Sequence, residues 1–356
     1  MKLNLSIAIT VLAITVLTIT GVAVMLTRCN GFFARTFSRS PAELYGVKQE
    51  NQTEVLAAAD VPSAVAQAVK DTLAAATKTW VSSGRLEFWV LGTDRAAAVD
   101  LAAAFCERRV ARGDMSERDC LEDSENKDHG FLMYQAIGAE ALASGNPRMD
   151  AAHNGGAEWG IHRMASSLPL GFAGFLGIAG EGDQITILHE YWHSVQMSFM
   201  QPGDHGPNQE VAGPVWFIEG SAVAMAEFTS SKLLASGELR RWNNAVRPWP
   251  NLRERMEAKM KLVQRLKQGC SSYLPDAYGG ECGQLAYEGG AWAVAYLMHK
   301  FGEDVLLRSF HPNVQRLGWE QCFQKTFGQS SNDFHAEFAV FMQKPIAEQL
   351  EILPKY

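Results

Sequence analysis

The sequence predicts an α+β protein: an N-terminal transmembrane helix, a small mixed sheet with helices, and then a mainly helical part. Three observations carry this. Leu5 to Leu26 is an apolar run of 22 residues without a charge. "RLEFWVLG" (85–92) has the aromatic and β-branched character of a strand. From residue 183 onward the spacing of apolar residues, punctuated by Pro and Gly, is helical almost throughout.

The first element has the length of a membrane span, since 22 residues at ~1.5 Å each cover the ~30 Å hydrocarbon layer. No A-x-A-like cleavage site accompanies it, so residues 1–28 read as an anchor or uncleaved signal, with a cleaved signal as the alternative. Orientation rests on two opposing signals. Arg28, Arg35 and Arg39 follow the segment, which by the positive-inside rule places the body in the cytoplasm. The spacings Cys106/Cys120 and Cys270/Cys282 suggest two disulfides, with Cys322 left over, which suits a periplasmic or extracellular space. Buried free thiols are the other reading of those cysteines. The expectation taken forward is a single-pass membrane protein with its body outside the cytoplasm. No C-x-x-C pair is present, which speaks against a zinc finger. A net charge of −7 is a poor match for nucleic acid, and no nucleic-acid partner is expected.

Residues 29–60 read as a polar, arginine-dotted linker. The N-terminal α/β part, 61–172, opens with an alanine-rich helix over 61–80, its Pro62 suited to a first turn. After the strand at 85–92 comes an amphipathic helix over 94–113, ending at Gly113. "ERDCLEDSENKDHG" (117–130) reads as a charged surface loop, and 158–172 holds the next strand. "GFAGFLGIAGEG" (171–182) lacks the Lys and Ser/Thr of a phosphate loop and reads as a flexible approach to a helix.

The helical part, 173–356, begins with a helix over 184–200, Asp183 as its N-cap and Pro202-Gly203 ending it. Further helices are predicted over 214–237, between Pro214 and Gly237, after Pro250, over 284–302, and at "SNDFHAEFAVFMQKP". With 47% hydrophobic residues there is ample material for a core.

The chemistry lies in "ILHEYWHSVQ" (187–196). Residues i and i+4 share a helix face, so His189 and His193 can converge on one ion, with Glu190 placed to take a proton from water. A catalytic ion needs a third protein ligand with a fourth position left open. The extended H-E-x-x-H-x-x-G-x-x-H form fails, because its Gly and third His positions hold Gln196 and Phe199. Glu219 in "WFIEGSA", 26 residues after His193, is the alternative. An unpartnered carboxylate in that apolar setting is costly, and a metal compensates it. Gly220, Ser221, Ala222 and Ala224 are small enough to let this helix approach the first.

"HEYWH" followed by "WFIEGSA" resembles the gluzincin, thermolysin-like metallopeptidases, whose pattern is H-E-x-x-H with a downstream Glu, often in an E-G-x-A context. The likeness covers roughly residues 183–310, and "AYEGGAWAVAYLMHKFGED" resembles the helix such domains pack behind the site. It implies that residues 173–356 form a zincin-like catalytic part, that His189, His193 and Glu219 bind one Zn²⁺ per chain, and that Glu190 is the general base. The substrate would be a peptide or protein. Relatives often use a Tyr or His to stabilise the oxyanion; Tyr287 is the candidate, with Tyr278 and His299 competing. His205 is a further candidate ligand or substrate contact. The alternative reading is a non-catalytic, metal-stabilised module that binds a peptide or partner, although a module without catalysis has no need of Glu190. His129, His153, His162, His311 and His335 have no evident partner in sequence, and Asn51-Gln52-Thr53 is a weak glycosylation match.

Overall fold

The computed structural model describes residues 53–356 apart from 81, 83, 147, 157–159, 201–209 and 243–248. The α+β expectation and the small mixed sheet hold. Four strands, β1 (Thr53–Ala57), β2 (Arg85–Val90), β3 (Ala151–His153) and β4 (Ile161–Ser166), lie in the order β1-β2-β4-β3. The β1-β2 and β2-β4 pairs are parallel, while β3 is an antiparallel edge strand paired with β4.

Strand β1 corrects the reading of 29–60 as linker. Its sequence, TEVLA, lacks the apolar/polar alternation that marks a strand, and its order comes from backbone pairing with β2. The rest of that stretch, to residue 52, lies outside the described residues.

Two predicted helices fall where capping chemistry puts them. Helix α1 (Ser63–Thr79) follows Pro62, and α2 (Arg95–Arg112) is capped by the Asp94 carboxylate and closed by Gly113 in the left-handed conformation. The charged stretch after it is not all loop: Ser116 accepts from the Asp119 N–H and starts α3 (Glu117–Ser124). Helix α4 (Met133–Ser144) then leads to β3. On the sheet face under α2, Glu54 and Glu87 are neighbours across the β1-β2 pair, and Arg108 bonds both at 2.7 and 3.0 Å. Among the described residues 161–166 alone form the strand expected over 158–172.

The helical part comprises α5 (Glu181–Met197), α6 (Val215–Ser236), α7 (Leu252–Leu266) and α8 (Gly280–Phe301). It continues through α9 (His311–Leu317), α10 (Trp319–Phe327), α11 (Ser331–Phe341) and the short α12 (Ile346–Gln349). The two parts share one apolar core. Trp80, at the end of α1, stacks on Tyr191 and meets the edge of Trp192, so α1 docks on α5. Cys106–Cys120 ties α2 to α3, Cys270–Cys282 ties the start of α8 to the segment after α7, and Cys322 is a buried free thiol.

The single-pass membrane placement, and with it the expected position of the body outside the cytoplasm, is corrected. No helix among the described residues is long and apolar enough to cross a membrane. Leu5–Leu26, on which the expectation rested, lies outside the described residues. The 22-residue helices α6 and α8 are long enough, but their apolar faces fill the protein's own core, and α6 carries Glu219, Glu227 and Lys232.

Helices α6 and α8 cross at bare backbone. A Cβ on Gly290 would stand 2.0 Å from the Trp216 carbonyl oxygen, and one on Gly220 would stand 2.3 Å from the Gly290 carbonyl carbon. Gly290→Ala therefore forces the helices apart. It is expected to lower unfolding free energy by about 1–3 kcal/mol or more, as overpacking of a tight core does, read by urea unfolding.

His311 is 2 % exposed, lies against Trp192, Phe199 and Phe310, and neither ring nitrogen has a hydrogen-bond partner among the described residues. Burial holds its pKa down at about 3, against 6.5 for the unfolded residue. The unfolded chain thus takes up a proton that the folded one refuses, and stability falls as pH drops from about 6.5 toward 3. His311→Phe should make unfolding free energy less steep in pH across that window, measured by urea titrations at a series of pH values.

Candidate metal centre

Helix α5 carries the motif. Its start differs from expectation: the helix begins at Glu181, and Asp183 sits inside the first turn. The Asp183 carboxylate accepts from the N–H groups of Phe172 and Gly171, tethering the glycine-rich approach instead of capping its own helix. Burial raises its pKa to about 7. The expected end at Pro202-Gly203, like His205, lies outside the described residues. Tyr191 and Trp192, between the histidines, are fully buried packing residues.

Three predicted ligands converge. Nε2 of His189 and Nε2 of His193 stand 3.2 Å apart, and Oε2 of Glu219 is 3.2 Å from the first and 3.3 Å from the second. Bonds of ~2.0–2.1 Å at tetrahedral angles separate donor atoms by ~3.3–3.4 Å, so the triangle has the edge length a small tetrahedral ion requires. His189, His193 and Glu219 could hold a metal ion.

A hydrogen-bond network sets which nitrogen of His193 faces the triangle. The carbonyl of Ile218 can only accept, and Gln196 Nε2 lies 3.1 Å from it and 2.9 Å from Ser221 Oγ. That end of Gln196 is therefore the amide nitrogen. Its Oε1, 2.8 Å from His193 Nδ1, must accept from Nδ1–H. With the ring neutral, the Nε2 lone pair is left for a ligand bond. Ser221 also accepts from Trp192 Nε1 at 3.1 Å, so one buried cluster pins α5 to α6 on either side of Glu219. The small residues of "EGSA" thus divide their work: Gly220 faces α8, and Ser221 faces α5.

Burial disfavours the charged form of His193, but the Glu219 carboxylate, aided by Glu190 and Gln196, raises its pKa to about 9. Burial likewise opposes charge on Glu219, yet the two imidazoles hold it far below the usual carboxylate range. Glu190 is buried, and that burial raises its pKa against the pull of both histidines. Its carboxylate lies 3.9 Å from His189 Nε2 and faces the backbone N–H of His153, whose dipole favours its charged form.

That last approach joins the site to the sheet. Alternate residues of a strand direct their backbone groups to opposite edges. The Asn154 N–H bonds Arg163 beside β4, so His153 and Ala151 address the free edge of β3, where Glu190 sits. The His153 ring is held by His162, with Nε2 to Nδ1 at 3.0 Å. Glu190, the triad, Ala151–His153, Met197, Ile218, Tyr278 and Tyr287 line one cavity of 440 Å³.

Tyr287 is brought in as expected. Its ring lies parallel to that of His189, centroids 6.2 Å apart, and the Glu219 carboxylate lies close enough to its hydroxyl to disfavour ionisation. Burial and nearby carboxylates push its pKa far up, so it remains a donor. Tyr278 also lines the cavity, whereas His299 is exposed on α8 and does not. His335 lies edge-on to Trp216, and His129 faces Asp123 at 3.6 Å. Gln196 and His153 are residues in contact with the site that sequence reasoning missed. Gln196 was legible as the i+3 neighbour of His193, but the role of His153 needed the strand edge.

No protein-family model, no curated protein and no solved structure matches the chain.

Two outcomes follow for metal binding. Gln196→Leu keeps the apolar bulk but frees the His193 ring, and divalent-metal affinity should fall ~10–100-fold in competition with a chromophoric chelator. Because a proton on His193 competes with the ion, affinity should weaken as pH falls below about 9, by up to about tenfold per unit. An affinity flat between pH 9 and 6.5 would contradict this.

Proposed function

We propose that the protein is a gluzincin-like zinc metallopeptidase that hydrolyses peptide bonds. The observation that carries this is the place of Glu190, enclosed between a triangle of metal-competent donors and the free edge of a strand. His189, His193 and Glu219 would hold one Zn²⁺ per chain; two imidazoles and a carboxylate are a donor set zinc favours, with a fourth position left open. When bound there, zinc supplies Lewis acidity at the scissile carbonyl and lowers the pKa of water.

The chain's own residues do the rest. An extended peptide laid along β3 meets backbone groups of Ala151 on the free edge, the means by which a strand recognises a chain irrespective of side-chain sequence. Ala151 and Ala152 are small enough to leave room for it. Glu190 takes the proton of the attacking water and passes it to the leaving amine. The raised pKa of Glu190 makes it a stronger base than an exposed carboxylate. Tyr287, a permanent donor, gives a hydrogen bond to the oxygen that becomes negative as the carbonyl is attacked.

Metal content by mass spectrometry, together with hydrolysis of an unstructured protein such as casein, tests the reading. The wild-type chain should hold about one zinc. Glu219→Ala should lose most of it, and Glu190→Gln should keep it while losing hydrolysis by ~10²–10⁴-fold. An active Glu190→Gln variant, or a folded wild type without zinc affinity, overturns it.

A further inference from the structure

We propose that Tyr278 contacts the substrate, and that the Cys270–Cys282 disulfide holds it in place as the outer wall of the cavity. The inference rests on the peptidase reading. Tyr278 is 51 % exposed, yet it lines the same cavity as the donor triangle. It is the single large exposed hydrophobic side chain among the described residues that does so. An aromatic ring fixed at the rim of a cleft offers a large contact area with little rotamer entropy to lose, and such residues dominate binding energies.

The ring is fixed because the loop bearing it is fixed, by four independent contacts. The disulfide closes the loop at both ends. Asp276 accepts the N–H of Val215 at 2.8 Å, capping the helix that bears Glu219. The carbonyl oxygens of Tyr273 and Tyr278 lie where Cβ atoms of Gly289 and Gly283 would be, 2.4 Å from each built position. The loop backbone therefore rests on bare stretches of α8, on either side of Tyr287. Ala151, Ala152, Met197 and Ile218 line the same cavity and give it apolar surface. The slot suits an apolar or aromatic side chain next to the cleaved bond.

Because Tyr278 is exposed, Tyr278→Ala should fold and keep its metal. The test compares kcat and KM for casein among wild type, Tyr278→Ala, Tyr278→Phe and Cys270→Ser/Cys282→Ser. A second measurement titrates casein into cobalt-loaded Glu190→Gln protein, with and without Tyr278→Ala, and follows the cobalt absorption. Tyr278→Ala should raise KM and the casein dissociation constant about tenfold with kcat little changed, Tyr278→Phe should recover most of that loss, and the double serine variant should repeat the KM rise with metal retained. Casein that binds and is cleaved equally well by Tyr278→Ala overturns the inference and leaves the peptidase reading standing. Wild-type protein that neither cleaves casein nor binds it in the cobalt form overturns both.

Discussion

A carboxylate taken out of water needs compensating charge close by, and Glu219 imposes that constraint on everything around it. It is 7 % exposed, on a helix whose neighbours are almost all apolar. His189 and His193 meet its Oε2 at 3.2 and 3.3 Å, and the site can balance the charge with a proton on His193 or with a metal ion. Either solution requires α5 and α6 to cross at one register, since a shift of one residue on either helix would turn a donor away by about 100°. The registry is held by polar contacts on both sides of Glu219, from Gln196 to the Ile218 carbonyl and from Gln196 and Trp192 to Ser221.

The same network ties chemistry to packing. Gln196 occupies the position where a longer metal-binding motif has glycine, and it does a different job there, fixing the tautomer of His193. Beyond α6, the Gly220–Gly290 contact brings α8 against the back of the Glu219 helix, which carries Tyr287 to the carboxylate. On the other side, α1 meets α5 through Trp80, Tyr191 and Trp192, holding the motif helix beside the edge strand β3. Glu190 then reaches the backbone of β3, so the carboxylate beside the donor triangle also faces the strand's free edge.

Much of this was legible in the sequence. The motif spacing, the downstream Glu219 and both cysteine pairings read as they fold. So do the helices bounded by Asp94, Gly113, Pro214 and Gly237, because local spacing and capping decide these features before any tertiary contact forms. Strand β1 and helix α3 were not legible. One does not alternate apolar and polar residues, and the other is a charged turn that coheres through its Ser116 cap and the disulfide to α2.

By itself the sequence determined the donor types, their helical spacing and the general architecture, since these follow from side-chain chemistry and backbone periodicity. Only the tertiary structure decided which groups meet across the fold. It set the His193 nitrogen that faces the triangle, the His153 N–H on Glu190, the side of the helix that Gly220 presents, and the loop that brings Tyr278 to the cavity. Each of these joins residues from separate elements whose relative placement comes from packing one core, and no local pattern along the chain encodes that placement.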